Sequence, residues 1–87
     1  MFKLWHDLAW EEYLQWQRTD RAMVKRINQL IRDIERDPFR GIGKPEPLKG
    51  DLAGCWSRRI DETNRLVYCI EDGKLILMQC AGHYGDK

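Results

Sequence analysis

The 87-residue sequence lacks a long apolar run, a secretion signal and an excess of charge of one sign. No apolar run approaches the roughly 20 residues that cross a bilayer, because charged residues interrupt even the aromatic N-terminal stretch, which excludes membrane insertion. The N-terminus shows no charged, apolar and small-residue succession typical of a secretion signal, so we expect a cytoplasmic protein. Lys and Arg number 15 against 14 Asp and Glu, and this net charge of +1 indicates no general affinity for nucleic acid.

The sequence lacks the cysteine pattern of a disulfide framework or of a zinc site. Cys55, Cys69 and Cys80 are an odd number of residues without a close pair among them. We therefore expect three reduced, half-buried thiols. The length indicates one small domain with a thin core, to which a partner or a second copy would add useful burial.

All three prolines fall within residues 38–50, and this segment divides a helical half from a strand half. Before it, apolar spacing predicts a short strand over residues 1–5, a helix from Asp7 to about Arg18, and a second helix from Thr19 or Asp20 to Asp37. After it, alternation predicts strands over residues 55–60, 66–71 and 74 to about 80.

The dipeptide Asp72-Gly73 has the composition of a two-residue hairpin turn. Counting back from this turn predicts the pairs Glu71–Lys74, Cys69–Ile76 and Arg65–Cys80. Short connections favour antiparallel strands. We therefore predict a single α+β domain over residues 1–87, with an N-terminal strand and a two-helix hairpin (1–37) packed on one face of an antiparallel sheet, a crossover (38–50) and a β-meander (51–87).

A carboxylate stands between two prolines of the crossover. Pro45 and Pro47 restrict the backbone and hold Glu46 extended, so the carboxylate is presented on a stiff segment, as a positioned base requires. A solvated glutamate in a proline-rich crossover explains the same pattern.

Three arginines of the strand half are also not explained by periodicity. Arg58 and Arg59 are neighbours on a strand and point to opposite faces, so at most one of them faces the core while the other meets solvent or phosphate. Arg65 could bind a phosphate through two parallel hydrogen bonds, or could protect an edge strand from aggregation.

His83 carries the side chain best suited to exchanging a proton near neutral pH. Strict alternation from Cys80 places Tyr84, and not His83, on the face of Arg65, unless a kink at Gly82 reverses the order. A frayed surface histidine near the chain end is the simpler interpretation.

A carboxylate, an imidazole and a guanidinium, without a metal-binding constellation, suit RNA cleavage by the RNA's own 2′-hydroxyl. A base takes the 2′ proton, the oxygen attacks the adjacent phosphorus, an acid protonates the departing 5′ oxygen, and cations stabilise the charged intermediate. This chemistry requires neither a metal nor another cofactor.

Several runs of residues together resemble one family over nearly the whole chain, the YoeB/Txe toxins of the RelE/ParE superfamily. The runs that carry the resemblance are Trp10-Glu11-Glu12-Tyr13-Leu14-x-Trp16-Gln17, Lys25-x-Ile27-Asn28-x-Leu30-Ile31, Gly43-Lys44-Pro45-Glu46-Pro47-Leu48-Lys49, Gly54-x-Trp56-Ser57-Arg58-Arg59-Ile60, Arg65-Leu66-Val67-Tyr68 and His83-Tyr84.

This resemblance implies a RelE/ParE-like fold and a bacterial type II toxin that enters the ribosomal A site and cuts mRNA there. It implies that Glu46 is the general base, His83 the general acid, Arg65 the transition-state cation, and Tyr84 a residue that orients the substrate or its leaving group. The resemblance further implies that Lys49 and Arg59 contact RNA phosphates.

The resemblance also implies partners: a YefM-type antitoxin, a second copy of the chain in a homodimer, and operator DNA bound only through the antitoxin complex. The sequence departs from the family pattern at Cys55, where an aromatic residue is common, at Ala81, where a basic residue is common, and in a tail that continues past His83-Tyr84.

Two other functions remain open from the sequence. The first is a non-enzymatic binder of DNA gyrase, as in ParE relatives, against which Glu46, His83 and Tyr84 argue. The second is a degenerate toxin that acts only with its antitoxin as a promoter-binding repressor. The basic second helix favours this function, although a solvated face that covers the sheet is the preferred explanation of that charge.

Overall fold

Two helices and a five-stranded sheet make up the fold in the computed structural model, which describes residues 1–83. In chain order the elements are β1 (Phe2–Trp5), α1 (Asp7–Thr19), α2 (Arg21–Arg36), β2 (Glu46–Pro47), β3 (Cys55–Arg59), β4 (Arg65–Glu71) and β5 (Lys74–Gln79). The sheet order is β1-β5-β4-β3-β2. β1 runs parallel to β5 while the other neighbours are antiparallel, so the sheet is mixed where the sequence predicted antiparallel strands throughout.

The helix boundaries agree closely with the sequence signals. Asp20 caps α2 as predicted, since its carboxylate accepts a 3.1 Å hydrogen bond from the Ala22 amide. At α1 the cap lies one residue earlier than predicted, because Nδ1 of His6 accepts from the Leu8 amide at 3.1 Å. Asp37 ends α2 directly before Pro38, whose ring disfavours a helical preceding residue.

The main core lies between the two helices and one face of the sheet. The apolar stripe of α2 is buried as its spacing predicted, and it packs with Ala9 of α1 and with alternate residues of β4 and β5. The stripe comprises Met23, Ile27, Leu30, Ile31 and Ile34, and the strand residues comprise Leu66, Tyr68, Leu75 and Leu77. Within residues 1–83 we find no helix with the length and apolarity that a membrane span requires.

A β-bulge changes the register of the last hairpin. The turn residues Asp72 and Gly73 have φ angles of 51° and 72°, as a primed turn demands. The predicted pairs Glu71–Lys74 and Cys69–Ile76 are confirmed. Beyond them Tyr68 pairs with Leu77 but Val67 with Gln79, so Met78 is the extra residue.

The bulge makes the predicted pair of Arg65 with Cys80 wrong. The Arg65 amide instead donates a 2.9 Å hydrogen bond to the carbonyl of Gly82. One extra residue reverses the alternation of β5, so that Leu77 and Cys80 both face the helices. Because of this extra residue, strict alternation along β5 does not predict which of the residues after Cys80 lies on the same face as Arg65.

The expectation of three reduced cysteines is also wrong. Cys55 and Cys69 lie opposite each other on β3 and β4, with a Cα–Cα distance of 4.3 Å, and are joined in a disulfide. Sequence separation could not reveal this pair, because the register of two strands brings the sulfurs together on one face. Cys80 lies on the opposite face, buried beneath α1.

Candidate functional site

The candidate site lies on the sheet face that the helices leave uncovered. Across the strands, Glu46 pairs with Ser57, Ser57 with Val67, and Val67 with Gln79, so these side chains form one row on that face. The next row towards the β3–β4 loop contains Arg59 opposite Arg65. The fold thus brings Glu46 to the same face as Arg59 and Arg65.

The distances along this face suit a shared ligand. From the spacing of strands and the rise per residue, the Cα atoms of Glu46 and Arg65 lie roughly 12 Å apart, and Arg59 lies nearer to Glu46. Glu46 and Arg59 are exposed and Arg65 is half-buried. Two arginines and a glutamate therefore start from one sheet face, on either side of the row of Ser57 and Val67, within side-chain reach of a single phosphodiester group.

Lys49 lies apart from the arginine pair. Leu48, which follows β2, packs with Cys55 and Val67 on the open face, and its amide bonds to the Cys55 carbonyl at 2.9 Å. Lys49 comes next, at the end of β3 that carries the cysteine and not at the end that carries Arg59. Lys49 and the arginine pair can therefore contact the same ligand only if that ligand is an extended chain that runs along β3.

The β3–β4 loop holds the guanidinium of Arg65. Its Nη1 donates to the carbonyls of Asp61 at 2.8 Å and Glu62 at 3.2 Å. The Asp61 carboxylate accepts hydrogen bonds from the amides of Thr63 and Asn64 at 2.9 and 2.7 Å. Burial opposes the ionisation of Asp61, but the hydrogen bonds from Asn64 and Thr63 lower its pKa. The ionised Asp61 carboxylate thereby stabilises the conformation of the loop. The loop carbonyls in turn hold one edge of the Arg65 guanidinium.

The segment that leads to His83 is held at the same corner of the sheet. Gly82 donates its amide to Oδ1 of Asn64 at 2.8 Å and accepts from the Arg65 amide at 2.9 Å. Its φ angle of 72° lies in the region that favours glycine, so the kink that the sequence left open is present. His83 is half-buried and directly follows this anchor beside Arg65, whereas Tyr84 lies outside the described residues.

Helix α1 holds Cys80, two residues before Gly82, from the helix side of the sheet. Oε1 of Glu12 accepts a 2.8 Å hydrogen bond from the Cys80 amide, and Nε1 of Trp16 donates to the Cys80 carbonyl at 2.9 Å. Both backbone polar groups of Cys80 are therefore bound by α1 side chains. The backbone is thus held at Cys80, three residues before His83.

Arg58 is the residue that sequence reasoning did not place. It is fully buried on the helix side, and its five N–H groups bond to Tyr68, Asp33 and the carbonyls of Ile42, Asp37 and Arg40. The signal was available, because Trp56 and Ile60 flank Arg58 at alternate positions and both pack towards the core. Arg58 ties the crossover to β3, and so fixes the segment that leads to Glu46.

Asp33 is the acidic partner of this buried guanidinium. Its Oδ2 accepts from Arg58 and, at 2.9 Å, from the Ile42 amide. The Ile42 amide and, more weakly, Arg58 lower the pKa of Asp33 from 3.8 to about 2, against a burial contribution that raises it. The ionised form therefore anchors α2 to the crossover at ordinary pH.

Comparison with known proteins finds close relatives over nearly the full length. A family model described as "YoeB-like toxin of bacterial type II toxin-antitoxin system" matches residues 5–84. The toxin YoeB of Streptomyces coelicolor is 61% identical over 76 residues, covering 87% of this chain and 90% of the relative. The toxin YoeB of Escherichia coli K12 is 53% identical over 81 residues, covering 93% and 96%.

Solved structures agree with this result. The YoeB/ParE toxin from Agrobacterium tumefaciens superposes with a TM-score of 0.94 at 51% identity, covering 97% of this chain and 100% of that one. A YoeB dimer from Staphylococcus aureus gives 0.90 at 41% identity, and a YoeB-YefM complex from the same organism gives 0.89 at 40%, each covering 97% of this chain and 98% of the other.

Proposed function

The chain belongs to the family of YoeB-like toxins of bacterial type II toxin-antitoxin systems, and on this premise we propose that it is an endoribonuclease that cuts mRNA in the ribosomal A site. The observation that carries the proposal is the shared sheet face of Glu46, Arg59 and Arg65. A carboxylate and two guanidiniums on one open face can flank a phosphodiester, which is the group that the reaction transforms.

In the proposed mechanism Glu46 takes the proton of the RNA 2′-hydroxyl, and the resulting oxygen attacks the adjacent phosphorus. The bond from phosphorus to the 5′ oxygen breaks, which leaves a cyclic phosphate on one fragment, and His83 protonates the departing 5′ oxygen. Arg65 stabilises the negative charge that develops on the non-bridging oxygens. Because the RNA supplies its own nucleophile, we propose that the reaction is independent of metal and of covalent intermediates.

Rigid placement of these groups has to supply much of the rate, because a carboxylate is a weak base for an alcohol. Three sets of hydrogen bonds hold these groups in place. The crossover fixes Glu46 through Arg58, the Asp61 loop fixes Arg65, and Asn64 fixes the segment that leads to His83. Tyr84 would orient the substrate or leaving group, while Arg59 and Lys49 would contact phosphates on either side.

The same premise extends the proposal to partners. We propose that a YefM-type antitoxin holds the toxin inactive, that the toxin forms a homodimer, and that operator DNA is bound only through the antitoxin complex. A net charge of +1 supports dependence on the ribosome, since it supplies little affinity for free RNA. The cytoplasm, where ribosomes translate, is the proposed location.

The test is cleavage of an mRNA on purified translating ribosomes, read by primer extension. Wild-type protein should cut the message, and Glu46→Gln, Arg65→Ala and His83→Gln should each reduce the rate about a hundredfold or more while retaining the wild-type circular dichroism spectrum. The matched control is Glu71→Gln, which removes an exposed carboxylate from the far end of β4 and should leave the rate unchanged.

Two results would replace this function with another. An intact message together with inhibited DNA supercoiling would indicate a gyrase-binding toxin. An intact message without growth arrest, in cells that express the chain without antitoxin, would indicate a degenerate toxin that acts only as a repressor subunit.

A further inference from the structure

Two cysteines lie directly opposite each other at one end of the β3–β4 hairpin. The Cα atoms of Cys55 and Cys69 are 4.3 Å apart, as in a non-hydrogen-bonded antiparallel pair, and their sulfurs are joined in a disulfide. Strand pairing continues from this pair to Arg59 and Arg65 at the other end of the hairpin. The backbone register therefore keeps the two sulfurs adjacent whether or not the bond is formed.

The three cysteines differ in their access to solutes. Cys69 is half-buried, and Cys55 retains 9% of its exposure. Cys80 is fully buried on the other side of the sheet, where its Sγ lies 3.5 Å from the Ala9 carbonyl. A dissolved oxidant thus meets Cys69 first, Cys55 stands next to it as the second thiol, and the sheet separates Cys80 from both.

We propose that Cys55 and Cys69 form a reversible thiol–disulfide site whose co-substrate is a low-molecular-weight disulfide of the glutathione type. The Cys69 thiolate attacks one sulfur of this disulfide, forms a mixed disulfide and releases the first thiolate. The Cys55 thiolate then attacks the Cys69 sulfur, forms the intramolecular bond and releases the second. The protein loses two protons and two electrons, and the small disulfide is reduced to two thiols.

The bond would act as a clamp on the strands that carry the candidate site. The segment from Cys55 to Cys69 contains both Arg59 and Arg65, and the Cys55 carbonyl accepts the Leu48 amide of the strand edge that follows Glu46. A cross-link that closes this loop restricts the unfolded chain, so the oxidised protein resists unfolding more than the dithiol form. In reducing compartments disulfides are typically transient, which matches a reversible site.

The experiment uses the purified 87-residue chain, equilibrated with oxidised and reduced glutathione at a series of ratios. The samples are denatured, alkylated and weighed by mass spectrometry. At high oxidised glutathione we expect a loss of two hydrogens, a single alkylated cysteine at position 80, and a proteolytic peptide that links Cys55 to Cys69. We also expect the oxidised form to melt roughly 10 °C or more above the reduced form.

Cys55→Ser and Cys69→Ser should each lose the oxidation-dependent shift, whereas Cys80→Ala should retain it. Three labels on the wild type at every glutathione ratio, a persistent glutathione adduct in place of the internal bond, or equal melting temperatures of the two forms would overturn the proposal. None of these readouts depends on RNA cleavage, so the site stands or falls independently of the proposed nuclease activity.

Discussion

The side chain of Asn64 joins the β3–β4 loop to the segment that carries His83. Its Oδ1 accepts the Gly82 amide at 2.8 Å, and its Nδ2 donates to both carboxylate oxygens of Asp61 at 3.1 and 3.2 Å. The same loop supplies carbonyls to the guanidinium of Arg65. One amide side chain thus couples the positions of the proposed acid and the proposed transition-state cation.

Substitution of Asn64 should therefore reduce catalysis more than stability. We expect Asn64→Ala to lower the single-turnover rate of mRNA cleavage on ribosomes by about tenfold to a hundredfold, because a small displacement of His83 or Arg65 misaligns the reacting groups. Thr63→Ala is the control, since Thr63 contributes its backbone amide to the loop. Wild-type rates for Asn64→Ala would show that the anchor does not position the site.

The Asp33 carboxylate should give the protein a specific dependence on acid. Its pKa is about 2 in the folded protein against 3.8 for the free side chain, so its contribution to stability is complete above about pH 4 and is lost as the pH falls towards 2. We expect Asp33→Asn to cost about 3 kcal/mol at pH 7, because Arg58 loses its charged partner. Urea unfolding should show that this difference between variant and wild type shrinks at pH 2.5.

The control for this measurement is Glu35→Gln. Glu35 forms a 2.9 Å ion pair with Lys3 in which both side chains are partly exposed. Its loss should cost less than about 1 kcal/mol. A difference between Asp33→Asn and wild type that stays constant from pH 7 to pH 2.5 would contradict the role given to the Asp33 charge.

The neighbours Arg58 and Arg59 should respond in opposite ways to the same substitution. Arg58→Met leaves Asp33 and several carbonyls without their buried donor, so we expect a loss of about 3 kcal/mol or more in the free energy of unfolding. Arg59 is exposed, so Arg59→Met should change stability by less than about 0.5 kcal/mol.

The activity measurements reverse this order. Arg59→Met should weaken cleavage on the ribosome, because a proposed phosphate contact is lost while the fold is retained. Chemical denaturation and the primer-extension assay together separate the two arginines. Equal stability losses for both variants would mean that the buried network around Arg58 contributes little.

Gly43 lies where the crossover meets β3, and its carbonyl accepts the Arg59 amide at 2.6 Å. A Cβ at this position would come within 2.8 Å of Leu30 and 3.0 Å of the Arg59 carbonyl, and its φ is 79°. We expect Gly43→Ala to cost about 2 to 3 kcal/mol. Gly54→Ala, where φ is 94° and no atom lies within 4 Å, isolates the conformational part and should cost about 1 kcal/mol.

Thermal unfolding of the two glycine variants gives the contribution of the clash as the difference between them. Gly43 lies three residues before Glu46, so a shift of its backbone also affects the position of the proposed base. If the close approach holds β2 in place, Gly43→Ala should also lower the cleavage rate, whereas Gly54→Ala should not. Equal melting temperatures for the two variants would show that Leu30 moves aside at no cost.

Much of the fold follows from local patterns. The stripe of α2, its Asp20 cap and the Asp72-Gly73 turn depend on residues close in sequence, and the structure agrees with each of them. Local patterns did not predict the mixed sheet, because the parallel pairing of β1 with β5 joins strands that are far apart in sequence. The bulge at Met78 did not follow either, since alternation contains no signal for an added residue.

For the candidate site, the sequence alone singled out a carboxylate between two prolines, neighbouring arginines and a histidine near the end, because proline restraint and side-chain chemistry are local properties. Only the tertiary structure decided that Glu46, Arg59 and Arg65 share one face, that Arg58 is buried, and that Cys55 meets Cys69. The physical reason is that strand register, which depends on the packing of the whole sheet, determines which distant side chains become neighbours.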